Sequence, residues 1–306
     1  GAHLLAEVQV KDVYKARMDA LWPEVRDLLR QERATIGAIG LQATDKPELR
    51  VVLKDGPAQI ETAVNLVRSL ARPVTTLTGV GANDIEVSTE GAEIVVTLSE
   101  AERLATDERT IRQSLEIIRR RIDEVGTREP TIQRQGSDRI LIQVPGIGSA
   151  AELEKIIGTT AQLTFQPVVG RASGPDDNAG SGNVIFPAIE NKTNVNRADD
   201  VFYILERAAV VTGEQLVDAQ PDFDEFGRPA VSFRFNPSGA RTFGDYTAEN
   251  VGNPFAIVLD DEVISAPVIN QHIPGGSGII TGRFDVEETT RTAMLLRAGA
   301  LPAELE

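Results

Sequence analysis

Residues 105–146, ATDERTIRQSLEIIRRRIDEVGTREPTIQRQGSDRILIQVPG, decide the fold, because a long amphipathic helix runs directly into a pair of strands. Ile111, Leu115, Ile118, Ile122 and Val125 recur at spacings of four and three and so share one helical stripe, while Arg112, Arg119, Arg120, Asp123 and Glu124 face elsewhere. Gly126 ends the helix and Glu129-Pro130 imposes extended backbone. Ile132 and Gln133 lead to a turn at Gly136-Ser137-Asp138, after which Ile140, Ile142 and Val144 alternate with Leu141 and Gln143 up to Pro145-Gly146. Nothing in the stretch has the make-up of a catalytic centre, so it reads as an interaction scaffold.

Outward from this block the chain repeats one order of elements. His3 to Val10 alternates like a strand, with Leu5, Val8 and Val10 available to a core. Residues 12–33 read as a helix through Val13, Met18, Leu21, Val25, Leu28 and Leu29, and strands follow at about 35–43 and 48–54 with a Lys46-Pro47 turn. Asp55-Gly56-Pro57 opens a second helix, which Pro73 stops, and strands at 85–89 and 92–98 turn at Glu90-Gly91. The first hundred residues therefore fit a βαββαβ, ferredoxin-like layer of helices on an antiparallel sheet. The same order restarts with a helix at 100–125, strands at 131–135 and 139–144, a helix at 149–158 capped by Ser149, and a strand at 162–168.

Between Gly170 and Asn196 the segment GRASGPDDNAGSGN reads as a mobile surface loop, for it has almost no apolar side chains. Short strands at 201–205, 208–212 and 230–235 and a helix at 237–249 follow. Strands at 255–259 and 262–270, a glycine-rich turn at 274–278 and a helix at 285–298 complete the pattern. Phenylalanines crowd one region, at 186, 202, 223, 226, 233, 235 and 243. Such a cluster serves either as a small core or as a surface for apolar polypeptide.

Composition removes several function classes. A net charge of −15 over 306 residues argues against nucleic-acid binding, which needs a basic face. Arg119-Arg120-Arg121 reads as a solvated helix face. There are no cysteines, hence no disulfides and no thiolate metal sites. No run reaches the roughly 18 apolar residues of a membrane span, and no signal-peptide pattern opens the chain. The two histidines, His3 and His272, read as strand residues near opposite ends of the sequence and make a poor start for a triad or zinc site. No G-x-S-x-G or Walker pattern occurs, and Gly79-Val80-Gly81 reads as a loop. Asp222-Phe223-Asp224-Glu225-Phe226-Gly227 imitates the start of a calcium loop, but its twelfth position is Phe233, so it reads as a turn between strands. The neighbouring acids Asp199-Asp200, Asp260-Asp261 and Glu287-Glu288 point to different faces and make poor acid–base pairs. The chain is not expected to be an enzyme or to hold a cofactor.

Five motifs in order carry a family resemblance: IIRRRIDEVG, TIQRQGSDRILIQVPG, VSFRFNPSGARTF (231–243), FAIVLDDEVISAPVI (255–269) and LLRAGALPAELE (295–306). Together they resemble the large periplasmic region of the SecD family (SecDF, RND superfamily), accessory subunits of the bacterial Sec protein translocase. The resemblance implies an excised region whose neighbouring membrane helices lie outside this chain, on the periplasmic face of the inner membrane. It implies an α+β fold with a duplicated ferredoxin-like base (1–99 and 100–169), an inserted α+β head at 170–251, and strands and a helix at 252–306 completing the base. The implied partners are the unfolded preprotein emerging from the Sec channel, SecF and the SecYEG channel, with energy from the proton gradient. With a head inserted there, Pro167, Gly170, Gly252 and Pro254 become hinge candidates, or ordinary linker punctuation. Phe202, Phe223, Phe226, Phe233 and Phe235 become candidates for preprotein contact. The alternative is a solute or lipid exporter of the RND type, which would show a deep preformed apolar cavity.

Overall fold

The computed structural model describes residues 1–76, 79–126 and 129–306. The chain begins with β1 (Ala2–Glu7), α1 (Val10–Gln31), α2 (Arg33–Ile36), β2 (Ile39–Gln42), β3 (Glu48–Leu53), α3 (Ile60–Arg68), β4 (Pro73–Thr76), β5 (Gly79–Asn83), β6 (Ile85–Glu90) and β7 (Glu93–Leu98). It continues with α4 (Glu100–Glu124), β8 (Thr131–Gln135), β9 (Arg139–Val144), α5 (Ala150–Ile157), β10 (Leu163–Ala172), β11 (Asn183–Pro187), β12 (Phe202–Glu206) and β13 (Val211–Thr212). Last come β14 (Leu216–Phe223), β15 (Pro229–Phe235), α6 (Pro237–Glu249), β16 (Phe255–Leu259), β17 (Glu262–Ser265), β18 (Ser277–Thr281) and α7 (Val286–Ala298). These divide into two compact units: an N-terminal one (His3–Leu115, Thr131–Gln143, Pro302–Glu306) and a C-terminal one (Gly1–Ala2, Glu116–Pro130, Val144–Leu301).

In the N-terminal unit an antiparallel sheet of order β2-β3-β7-β6 is covered by α1 and α3. Period-two alternation turns Leu49, Val51 and Leu53 of β3 inward, where they meet Met18, Val25 and Leu29 of α1 and Val64 and Val67 of α3. The β6–β7 turn falls at Glu90-Gly91, and Gly91 takes a φ of 61° that a side chain would resist. Gly79-Val80-Gly81, expected to be a loop, falls within β5, which pairs with β4.

The expected βαββαβ order for residues 1–99 is not what forms. β1 leaves the sheet of residues 39–98 and joins β9 and β8 in a separate sheet of order β1-β9-β8. Its buried residues are Ala2 and Ala6, Val8 just after it is buried as well, and Leu5 is 54% exposed. Alternation fixes which side chains share a strand face but not the partner strand, which is a non-local choice.

The C-terminal unit holds two sheets, one of order β11-β12-β10-β16-β17 with β13 also on β10, and one of order β14-β15-β18. They share a core centred on Phe165 of β10, whose ring centroid lies 5.4 Å from Phe233, 5.4 Å from Phe235, 5.5 Å from Phe243 and 5.7 Å from Phe255. Mostly edge-to-face, these contacts match the ring quadrupoles as well as burying area. The core therefore draws on residues before 170 and after 251, and the expected head boundaries at those positions run through it. The stretch 170–196 is also not one loop, because β10 extends to Ala172 and β11 pairs with β12.

Helix ends follow local chemistry. Asn236 caps α6 by accepting from the Gly239 N–H at 2.8 Å. Asp285 and Glu288 form a reciprocal capping box on α7, with bonds of 2.7 and 2.9 Å. Ser149 accepts from the Glu152 N–H at the start of α5.

Candidate functional site

The most exposed aromatic surface of the C-terminal unit is the tip of the β14–β15 hairpin. Strand pairing runs out at Phe223↔Pro229, and the residues between them close around Asp224. Its carboxylate accepts from the N–H groups of Phe226 and Arg228, both at 2.9 Å, and from the Arg228 guanidinium at 2.8 Å. Burial alone would raise the carboxyl's pKa, but the Arg228 main chain and guanidinium and the Phe226 amide hold it below the usual carboxylate range. Gly227 supplies the φ of 75° that the turn needs. The Arg228 guanidinium then lies 5.1 Å from the Phe226 ring centroid. The consequence is a fixed tip carrying two apolar rings in water, Phe223 at 57% and Phe226 at 74% exposure. Large exposed apolar groups on a rigid tip favour a partner. The calcium-like pattern is the turn expected from its sequence, and among the described residues no cluster of three or more His, Cys, Asp or Glu could hold a metal.

The other preprotein-contact candidates sit differently. Phe202 is half-buried on β12. Phe233 and Phe235 are core residues at 6% and 5% exposure, packed with Phe165 and not displayed on the surface as the tip rings are. They alternate with the outward Ser232 and Arg234, the ordinary two-residue period of β15.

A second feature adjoins β15. A hollow of about 300 Å³ is floored by Phe233, Phe243 and Phe255 and walled by Val268, Ile273 and Ile279, and no charged residue lines it. Sequence reasoning did not find it, because its walls come from segments that only the sheet order brings together.

The four hinge candidates are woven into the sheets. Pro167 pairs with Phe255, and the Val168 N–H donates to the Pro254 carbonyl at 3.4 Å. Gly170 sits in β10 opposite Ile204 beside a register shift, and the Gly252 N–H donates to the Ile269 carbonyl at 2.8 Å. These passages are hydrogen-bonded strands and turns, not free linkers.

Arg121, expected on a solvated face, is fully buried. It lies three residues after Ile118 and four before Val125, so it shares the apolar stripe of α4; that spacing was the signal. Its guanidinium donates to the carbonyls of Ile157, Thr160 and Gly299, each at 3.1 Å, and to that of Thr159. Ile157 and Gly299 mark the C-terminal ends of α5 and α7, where helix dipoles favour a cation. Burial pushes its pKa down to about 10, with Asp260 acting the other way, so the group stays charged at neutral pH. Asp260 is itself engaged: its carboxylate accepts from the Ala161 and Gln162 N–H groups at 3.0 and 2.9 Å and from the Thr160 hydroxyl. Asp260 is therefore the clamp, and both it and Asp261 sit at positive φ. His3 lies on β1, and His272 lies in the loop before β18, not in a strand.

With this geometry in place, comparison with known proteins is specific. Residues 189–303 match the family described as SecDF, P1 head subdomain, and residues 111–170 match the family described as protein translocase subunit SecDF, P1 domain, N-terminal. Both descriptions are of domains from the protein-translocation machinery, a class of translocase subunits and not of enzymes. The chain belongs to the SecD/SecDF family of protein translocase subunits. It is 60% identical over 303 residues to the SecD subunit of Rhodobacter capsulatus, spanning 99% of this chain and 53% of that protein. It is 35% identical over 308 residues to the Rickettsia conorii subunit, 100% of this chain and 56% of that one. The chain thus spans about half the length of these curated relatives. A solved chain described as a membrane component SecDF that enhances protein export is 33% identical, with a TM-score of 0.51, over 65% of this chain and 90% of that one. The matched head runs to residue 303, further than the expected limit of 251. Among the described residues no helix is long and apolar enough to cross a membrane.

Proposed function

We propose that this chain is the periplasmic portion of a Sec translocase accessory subunit and that it binds the exported polypeptide as it emerges. The single observation that carries this reading is the hairpin tip, where Asp224 fixes the loop so that Phe223 and Phe226 stand in solvent. Keeping two rings exposed forgoes roughly 1.5–3 kcal/mol of burial for each, a cost that contact with an apolar chain recovers. Pre-forming the tip lowers the ordering cost of that contact. In the whole protein the partners are SecF and the SecYEG channel, and export is completed at the expense of the proton gradient through membrane helices outside this chain. The relatives' names favour this reading over that of a solute or lipid exporter.

The test is site-specific photocrosslinking. A photoreactive residue at Phe226 of the full-length protein, present while a preprotein is stalled during export, should give an adduct with that preprotein. The same residue at Arg120, exposed on α4 and outside the tip, should give none. No adduct from Phe226 and Phe223 alike contradicts the proposal.

A further inference from the structure

The free edges of the two sheets in the C-terminal unit are not protected alike. β14 carries Asp218, Pro221 and Asp222 and a register shift near Leu216, and β11 ends in Pro187. Charges, prolines and bulges of this kind keep an edge from pairing with another chain. β18, the last strand of the order β14-β15-β18, has none of them. Its sequence is Ser277-Gly278-Ile279-Ile280-Thr281, and its ladder with β15 runs without a shift from Arg234↔Ser277 to Ala230↔Thr281.

The ladder also fixes which main-chain groups are free. The Phe235 N–H donates to the Gly276 carbonyl at 2.7 Å, which makes Phe235 and Gly276 a hydrogen-bonded pair. Bonded pairs alternate along an antiparallel ladder, so Gly278 and Ile280 bond back to β15. The N–H and C=O groups of Ser277, Ile279 and Thr281 therefore point to the open edge. Beside that edge lies the uncharged hollow floored by Phe233, Phe243 and Phe255, with Val268 and Ile279 at its rim, 51% and 45% exposed.

From these two features we infer that β18 accepts a segment of the exported polypeptide as an added strand, with alternate apolar side chains of the guest lowered into the hollow. This rests on the polypeptide-binding reading above and gives it a second, chemically distinct subsite. The occupant is an extended peptide because only a strand satisfies a row of alternating donors and acceptors. It is uncharged at its inward positions because the hollow presents no charge to pair with, in a chain whose net charge is −15. Main-chain pairing is common to all sequences, so recognition demands only apolar alternation. The hairpin tip, by contrast, offers ring surface and no strand edge.

The probe is a fluorescein-labelled decapeptide of alternating valine and serine, titrated against the 306-residue chain by fluorescence anisotropy. Ile279→Pro removes an outward N–H while leaving the bonds of Gly278 and Ile280 to β15, and should weaken binding about tenfold or more. Ile279→Val keeps the N–H and the apolar rim and should bind within about twofold of the parent. A peptide of the same sequence N-methylated at alternate residues should lose binding to the parent chain. Equal binding by Ile279→Pro, or by the methylated peptide, overturns the inference, as does a parent chain whose β18 edge is occupied by a second copy at working concentration. Unchanged circular dichroism of Ile279→Pro shows that the variant folds; if it does not fold, the methylated peptide decides alone. Crosslinks from position 226 but none from 279 in stalled export would sink the strand-addition inference and leave the broader reading standing, whereas none from either would sink both.

Discussion

Replacing Arg121 with methionine tests how the C-terminal unit is held together. Four carbonyls receive the guanidinium's N–H groups, and the residue is fully buried. Hydrogen bonds from a charged donor contribute about 1.5–3 kcal/mol each, so the gross loss is large. Against this, methionine no longer requires a cation to be dehydrated, which recovers several kcal/mol. The guanidinium Nε has no partner among the described residues, so its removal costs nothing further. The expected net destabilisation is about 3–5 kcal/mol. With a urea slope of roughly 2 kcal/mol/M the unfolding midpoint of the C-terminal unit should fall by about 1.5–2.5 M. Far-UV circular dichroism follows the transition, and amide exchange at Leu301, whose N–H donates to the Thr160 carbonyl at 2.9 Å, localises it. The sole tryptophan, Trp22, packs against the core of the N-terminal unit and reports separately on that unit. Arg121→Lys keeps the charge but offers three donors to four carbonyls and should lose about half as much. Arg120→Met, which breaks only an exposed i,i+4 pair with Glu116, should stay within about 0.5 kcal/mol. A midpoint shift below about 0.5 M for Arg121→Met would refute the reasoning.

Phe165→Ala removes the ring that four other phenylalanines touch and should cost about 3–5 kcal/mol in the same urea experiment; a loss under 1 kcal/mol would show that this core is not the unit's centre. Asp285→Ala should cost about 0.5–2 kcal/mol by opening the capping box of α7, read as faster exchange of the Glu288 amide. Asp224→Asn should broaden or shift the Phe226 and Arg228 amide resonances of the turn while those of β15 are unmoved. Because the folded-state pKa of Asp224 is lowered, its contribution is complete above the ordinary carboxylate value of about 3.9 and is lost as pH falls through the lower folded value. The tip amides should hold steady from pH 7 to 5 and move only in stronger acid; a transition near pH 6 would contradict the assignment.

Much of the local structure was legible in the sequence because its causes are local. The stripe of α4, the β8–β9 strands on either side of Gly136 and the Ser149 cap of α5 all follow from residues a few positions apart. What was not legible is pairing across long distances: β1 takes β9 as its partner, and β14 forms despite Pro221 because an edge strand tolerates a missing N–H. The core that crosses the boundaries expected at 170 and 251 was not legible for the same reason, since Phe165 and Phe255 share it with Phe233, Phe235 and Phe243. At the site, the alternation of Val231, Phe233 and Phe235 with Ser232 and Arg234 already marked the first three as inward. Only the turn residues, Phe223 and Phe226, lay beyond that pattern. Arg121 was legible too, by its place on an apolar stripe, but the run of three arginines masked it.

The central claim is that the aromatic tip meets the exported chain, and photocrosslinking from position 226 of the full-length protein with a stalled preprotein tests it most directly. An adduct that contains the preprotein, and that weakens when Asp224→Asn loosens the tip, is the expected result. An export-competent protein that gives no such adduct from either tip position contradicts it.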